Sequence, residues 1–472
     1  MRLVELTNIG SLLAKRNLLR PRLNTAGLSP SAQSGFYSEV LAKLQTAGSV
    51  PVEQIQFGQA DRQLLNDAGI LQETILESDD LEVAGLTALQ RYSYNPLENV
   101  DILNLVLTFV CNLNCRHCQQ NGEDKTNGSG ELSTEEVQKV IEEAQFANIL
   151  GRGLNFTGGE PLLYRSDIFD LLHFARSRGI LTRLNTNGWF GGRETRLLIG
   201  PRTFNSSLEV VHFLKDAGLT VLAVSLDGLE ETHDTKRGSR GLFRRVLSLI
   251  QDCVNSGLLV HVLATGVPEG EKDALVEAVR ATGLMILSDG LTIAGRKGQV
   301  PFGLDFKSTV DIGAAAANNL PGPATFSFSS EFFSEISRCS GKGLARPTVI
   351  HLAPDGGVRT CTFAEKMSNL GNVREDSFID IINRFPGDGV STMFVRQVFG
   401  KEEILVETAR QIFRPNCFKQ FSHSCAATAV IAKLIDAYLR QVSKTGAEPT
   451  EADIIVINRQ VARDLNLLHE TI

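Results

Sequence analysis

Cys111, Cys115 and Cys118 stand in the run Cys111-Asn-Leu-Asn-Cys115-Arg-His-Cys118, three thiols on one short segment. Three thiolates placed together can hold one metal centre and leave a coordination position open. A structural zinc ion takes four ligands, and His117 inside the run could be the fourth. An iron–sulfur cube normally takes four cysteines, so three would leave one iron free for another ligand. The motif alone leaves both readings open. Four more cysteines, Cys339, Cys361, Cys417 and Cys425, lie well downstream. They suffice for one fully ligated cluster or for a four-thiolate zinc site. Cys253, the eighth, sits on a segment of helical periodicity and reads as a core thiol.

The elements that must position these residues alternate from about Asp101 onward. Ile102–Val110 is a nearly continuous apolar run rich in β-branched residues, as expected of a strand covered on both faces. Ser133 with Glu136 three residues on is a capping box that opens a helix to about Leu150. Strands then alternate with helices: Leu154–Thr157, Ser166–Arg178, Leu181–Asn185, Ser207–Ala217, Thr220–Leu226, Leu242–Asn255, Leu258–Thr265, Lys272–Ala281 and a last strand at Leu291–Ala294. Six βα-type repeats imply an α/β fold with a parallel sheet. Periodicity alone fits a partial barrel or a doubly wound sheet. Either way the three-cysteine loop follows the carboxyl end of the first core strand, where such folds gather their chemistry.

At this level of detail residues 100–300 resemble the radical S-adenosylmethionine (radical SAM) enzymes. The resemblance rests on the C-x3-C-x2-C loop and on Thr157-Gly158-Gly159-Glu160-Pro161 after the second strand. It continues with Asn185-Thr186-Asn187-Gly188 after the third, Ser225-Leu226-Asp227-Gly228 after the fourth and Gly295-Arg296 near the sixth, all in chain order. It implies a partial (β/α)6 barrel in which Cys111, Cys115 and Cys118 bind three irons of a [4Fe–4S] cluster. The fourth iron would chelate SAM, and one electron would split the sulfonium bond to give a 5′-deoxyadenosyl radical. Gly158 and Gly159 would let backbone approach the ligand, and Glu160 would accept from the SAM ammonium group. The family pattern further implies SAM contacts for Asn187 and Ser225, a loop-orienting role for Asp227 and a carboxylate-binding role for Arg237. His117 would pack on the adenine.

The downstream cysteines, with Ala353-Pro354-Asp355-Gly356-x4-Cys361 and Leu370-Gly371-Asn372, resemble a reduced SPASM or Twitch extension. That implies one auxiliary [4Fe–4S] cluster on Cys339, Cys361, Cys417 and Cys425, with zinc as the alternative. The chain then divides into an N-terminal α+β module over residues 1–95, a radical SAM core over 96–310 and a cluster-bearing domain with a C-terminal helix over 311–472. Pro354-Asp355-Gly356-Gly357 reads as the turn of a hairpin between Thr348–Leu352 and Val358–Thr360, and a helical pattern resumes over Ala427–Val442. Enzymes with such extensions act on peptides. The expected partners are a ribosomally made precursor with its leader, held by the small module, and a flavodoxin- or ferredoxin-like electron donor. The outcome could be a crosslink, an epimerisation or an excision, and for epimerisation Cys253 would be a hydrogen-atom donor. Alternatives within the enzymes are formylglycine formation as in anaerobic sulfatase maturases and modification of a small metabolite. An iron–sulfur electron carrier or a zinc-stabilised scaffold is the non-enzyme alternative.

The bulk properties agree with this class. The chain of 472 residues has 42% apolar and 21% charged residues, so it can bury large cores. With 47 Lys and Arg against 54 Asp and Glu, its net charge of -7 makes nucleic acid an unexpected partner. No apolar stretch is long enough to span a membrane. Eight cysteines are too few for a disulfide scaffold, which points to a reducing, cytoplasmic setting. Arg2, Lys15, Arg16, Arg20 and Arg22 against Glu5 give the first residues some likeness to an organelle transit peptide, with a basic amphipathic arm the plainer reading.

Overall fold

The computed structural model describes residues 2–55, 57–75, 95, 97–118, 130–193, 196–286, 302–307, 318, 348–360, 369–384 and 450–464. Cys339, Cys361, Cys417, Cys425, Leu291–Ala294, Gly295-Arg296 and the helical pattern at 427–442 lie outside these residues.

The strands of the core are β4 (Ile102–Thr108), β5 (Gly153–Gly158), β6 (Thr182–Thr186), β9 (Val221–Ser225), β10 (Leu259–Thr265) and β11 (Gly303–Lys307), while β7 (Leu197–Ile199) and β8 (Arg202–Phe204) pair as a separate small hairpin. They are hydrogen-bonded in the order β11-β10-β9-β6-β5-β4, and every neighbouring pair is parallel. This order settles the architecture. Each crossover steps in the same direction, so right-handed connections put all the helices on one face and leave the other to curl inward. A doubly wound sheet would reverse direction and carry helices on both faces. The core is the partial barrel. Its sixth described strand is Gly303–Lys307, beyond the expected Leu291–Ala294.

Side-chain alternation separates the two faces. Leu103, Leu105, Leu107, Leu154, Phe156, Leu184, Leu222, Val224, Val260 and Val262 are all buried under the helices. Each such side chain contributes roughly 1.5–3 kcal/mol relative to an exposed one. The helices form for local reasons as well. Ser133 caps Thr134–Phe146, its hydroxyl accepting from Glu136 N while the Glu136 carboxylate accepts from Ser133 N. Ser206 caps Ser207–Ala217 in the same way, accepting from Glu209 N. The apolar stripe of Leu242–Ser256, with Val246, Leu249, Ile250 and Cys253 buried, faces the sheet. Cys253 is therefore one thiol among packed hydrocarbon in the helical layer, and burial raises its pKa well above the ordinary value. It does not reach the concave face, which removes the basis for a hydrogen-donor role.

On the outer side of β4 the sheet continues with β12 (Val349–Leu352), parallel to β4, then β13 (Gly357–Arg359) and β14 (Asn369–Asn372), both antiparallel. The hairpin turn falls at Pro354-Asp355-Gly356, where Gly357 N donates to Asp355 Oδ1.

The first residues are no arm. β1 (Arg2–Leu6) is the central strand of a three-stranded antiparallel sheet, between β2 (Ser49–Pro51) and β3 (Leu71–Ile75). Leu3 and Val4 are fully buried, and the charges that suggested an arm flank them. The helix Asn8–Lys15 ties this module to the rest of the molecule. Asn8 Nδ2 donates to the carbonyls of Ile382 and Asn383, at 3.2 and 3.0 Å. Arg16 donates to the Asn148 and Glu98 carbonyls and Arg22 to that of Gln145, so the basic residues hold carbonyls of the core.

Candidate active site

The loop after β4 carries the three cysteines, all half-buried. Burial pushes the Cys111 thiol up to about 11, with neighbouring Glu160, Cys115 and Cys118 adding to the rise. A metal must therefore displace protons here.

Gly158 ends β5 and Gly159 follows it, and their lack of side chains has a structural cause. A Cβ on Gly159 would lie 2.0 Å from the Val110 carbonyl oxygen, and one on Gly158 2.2 Å from that of Thr108. Gly159 N donates to Thr108 O and Glu160 N to Val110 O, at 2.8 and 2.9 Å. The pair thus locks the end of β5 against the strand that launches the cysteine loop. The close approach expected toward a ligand is an approach to β4.

Glu160 is fully buried. Its Oε1 accepts from Thr186 Oγ1 and its Oε2 from Asn187 N, both at 2.9 Å. Burial pushes its carboxyl up to about 7, against the pull of those donors and of Arg237. Protonated Glu160 is favoured in the folded chain. The stability this contributes is full below about pH 4.5 and is lost as pH rises through about 7, on the order of 3 kcal/mol. Glu160→Gln should abolish this loss. In anaerobic chemical denaturation, its stability relative to wild type should improve from pH 5 to pH 8. An unchanged difference would show that Glu160 does not titrate in that window. Asn187, positioned by Glu160, donates from Nδ2 to Asn112 Oδ1 at 2.9 Å and lies 3.9 Å from Cys111 Sγ.

The end of β9 supplies the second anchor. Asp227 is fully buried, and Arg237 Nε donates to its Oδ2 at 2.6 Å. His117 Nε2 lies 3.0 Å from the same oxygen, and Thr265 N donates to Oδ1 at 2.9 Å. Burial alone would raise the Asp227 carboxyl, but Arg237, His117 and His233 hold it well below the carboxylate range. His233, whose Nδ1 accepts from Asp227 N, is brought down to about 4 by burial and by Arg237. Arg237 Nη1 lies 3.9 Å from Cys115 Sγ. Asp227 is thus the hub that joins the cysteine loop, through His117 and Arg237, to β9 and β10. Sequence reading placed Asp227 in this loop but not at its centre. His117 is tied by an edge to Asp227, and Ser225 ends β9 half-buried beside it.

The residues fit an iron–sulfur cube. Asn187 and Arg237 aim N–H groups at two of the three sulfurs, the outer contacts that such thiolates take. A cube spreads its thiolates over separate irons, and His117 is engaged by Asp227.

Residues 105–281, which hold every one of these groups, match the family model described as the radical SAM superfamily. This segment is a radical SAM domain. Two curated proteins of Methanosarcina barkeri are similar within it. Fe-coproporphyrin III synthase is 34% identical over 160 residues, 34% of this chain and 35% of that protein. AdoMet-dependent heme synthase is 38% identical over 146 residues, 31% of this chain and 36% of that protein. The matched stretch is about a third of each relative's own length. Among solved structures, Streptococcus suis SuiB bound to S-adenosylmethionine is 16% identical with a TM-score of 0.41, over 68% of this chain and 73% of that one. Membership of this domain family implies a [4Fe–4S] cluster and SAM. Among the described residues no helix is long and apolar enough to cross a membrane.

Proposed function

We propose that the chain is a radical SAM peptide maturase that abstracts hydrogen from a ribosomally made precursor. The observation that carries this reading is the convergence at the carboxyl ends of β4, β5, β6 and β9. There Cys111 meets the Glu160–Asn187 pair on one side, Cys115 meets the Asp227–Arg237 pair on the other, and Cys118 stands on the same loop. When bound, the cluster supplies the electron that splits the sulfonium bond of SAM and so yields the hydrogen-abstracting radical. The protein's own residues do the rest. Cys111, Cys115 and Cys118 would hold the cluster, and Asn187 and Arg237 aim N–H groups at the Cys111 and Cys115 thiol sulfurs, each at 3.9 Å. On this reading Ser225 would contact the SAM ribose, and Glu160 would act on the SAM ammonium beside the Asn187 that it holds. The fully buried Asp227 hub holds Arg237, and Glu160 holds Asn187, so that these donors stay in place as charge changes nearby.

The peptide part of the reading draws on the N-terminal module and the downstream cysteines. β3, preceded by the helix Gln59–Asp67, lies at one end of the small sheet, where a leader could add as a further strand. Cys339, Cys361, Cys417 and Cys425 would hold an auxiliary [4Fe–4S] cluster, and a flavodoxin- or ferredoxin-like protein in the cytoplasm would supply electrons. Modification of a small metabolite is the second reading, favoured by the names of the curated relatives. The test is mass spectrometry of a candidate precursor coexpressed with the enzyme. A mass change on the full precursor, lost when its leader is deleted, is the expected result. An unmodified precursor, with SAM consumed on a small acid instead, would overturn the peptide reading. Deleting residues 1–95 is not a clean alternative, because Asn8 and Ile9 are bonded to Asn383 and the module's core would be opened.

A further inference from the structure

The concave face of the core sheet is polar where the helical face is apolar. Strand register puts Asn104 beside Asn155, Asn155 beside Arg183, and Ala223 between Asn185 and His261. His351 Nδ1 and Asn104 Nδ2 are 2.9 Å apart, Asn155 Nδ2 donates to Asn104 Oδ1, and Asn185 Nδ2 donates to Thr157 Oγ1 at 3.0 Å. Register also puts Asp305 of β11 beside Leu263 of β10, on the same face as His261.

Among the described residues several groups on this face have no internal partner. Arg183 Nε, Asn155 Oδ1, Asn185 Oδ1 and both ring nitrogens of His261 make no hydrogen bond. His261 is 2% exposed. Among the described residues the Arg183 guanidinium donates to nothing. Asp305, the carboxylate that faces it, is paired with Lys307 Nζ at 3.1 Å and lies 4.0 Å from His261 Nε2. A fold does not leave a cation and several acceptors unmet without cause, since buried polar groups cost free energy unless bonded. Burial lowers the Arg183 pKa only to about 10, so it is charged at neutral pH. Sequence reading used Asn185 only within the Asn185-Thr186-Asn187-Gly188 run and passed over Asn155, Arg183 and His261, polar residues scattered singly over three strands.

We propose that this face binds an acidic amino-acid unit of the substrate, with Arg183 pairing to its carboxylate and the Asn155 and Asn185 Oδ1 atoms accepting from its amide N–H groups. The cation selects the carboxylate, and the two adjacent acceptors select a group that also carries N–H donors. Such a unit belongs to a peptide or to a small carboxylic acid derivative. This inference rests on the peptide reading given above and names the residue type it presents.

The test is calorimetric titration of the full-length, anaerobically reconstituted protein with three probes: N-acetyl-glutamate amide, N-acetyl-glutamine amide and glutarate. The glutamate amide should bind at least about tenfold more tightly than either of the others. In Arg183→Met that preference over the glutamine amide should vanish. Asp305→Asn, which removes the negative charge facing Arg183, should tighten the glutamate amide by about threefold or more. A gain of affinity cannot come from misfolding. Equal binding of the glutamate and glutamine amides to wild type, or weaker glutamate binding in Asp305→Asn, would overturn the assignment. Glutarate binding as tightly as the glutamate amide would make the ligand a small acid and overturn the peptide unit. Wild-type SAM turnover is read separately. Its absence with glutamate selectivity intact would sink the function proposed above and spare this site, and the converse would do the reverse.

Discussion

Alanine at Cys111, Cys115 and Cys118 together should leave anaerobically reconstituted protein with about four irons in place of about eight, one cube having been lost. The three thiols sit on one loop, and that loop is held at both ends by bonds that do not involve sulfur: Glu160 N to Val110 O, and Arg116 N to Lys236 O. The loop should therefore keep its path in the variant while losing every iron ligand it offers. The remaining irons belong to the proposed set at Cys339, Cys361, Cys417 and Cys425. Iron and sulfide analysis with absorption near the thiolate charge-transfer region measures the outcome. A variant that keeps all its iron would place the cluster elsewhere, and a wild type with stoichiometric zinc and one cube would remove the auxiliary cluster.

Asp227→Ala is expected to be the most costly single substitution at the site. It leaves the Arg237 guanidinium, 8% exposed, without its carboxylate, and it strips Thr265 N of its acceptor. Breaking one partner of a buried pair costs about 3–5 kcal/mol, because the other charge stays behind. Replacing both partners, as in Asp227→Leu with Arg237→Met, should recover a large part of that loss. Denaturant midpoints for the two singles and the double close the cycle. Additive losses would show that Asp227 and Arg237 act independently, against the 2.6 Å contact.

The parts of the site that follow strands in fixed order were legible from residue types and spacing. The capping box at Ser133 and Glu136, the strand before the cysteines and the ends carrying Glu160, Asn187 and Asp227 all stand where periodicity placed them. What periodicity could not convey was direction. The handed, stepwise strand order that makes a barrel is a property of connections between strands, each locally identical in either fold. Charge misled at the N-terminus, where Arg2 and Glu5 bracket the buried Leu3 and Val4 of a central strand. The Asp227 hub was invisible for another reason. Its partners come from residues 117, 233, 237 and 265, and only the closing of the sheet brings them to one carboxylate. The polar concave face was hidden in the same way, its residues scattered singly over β4, β5, β6, β10 and β11.

The most direct measurement is SAM turnover by the reconstituted wild-type protein on addition of a strong reductant, read as 5′-deoxyadenosine and methionine by chromatography. Equal amounts of the two products, absent in the variant lacking Cys111, Cys115 and Cys118, are expected. A protein that carries its cluster, accepts the electron and leaves SAM intact would contradict radical chemistry at this site.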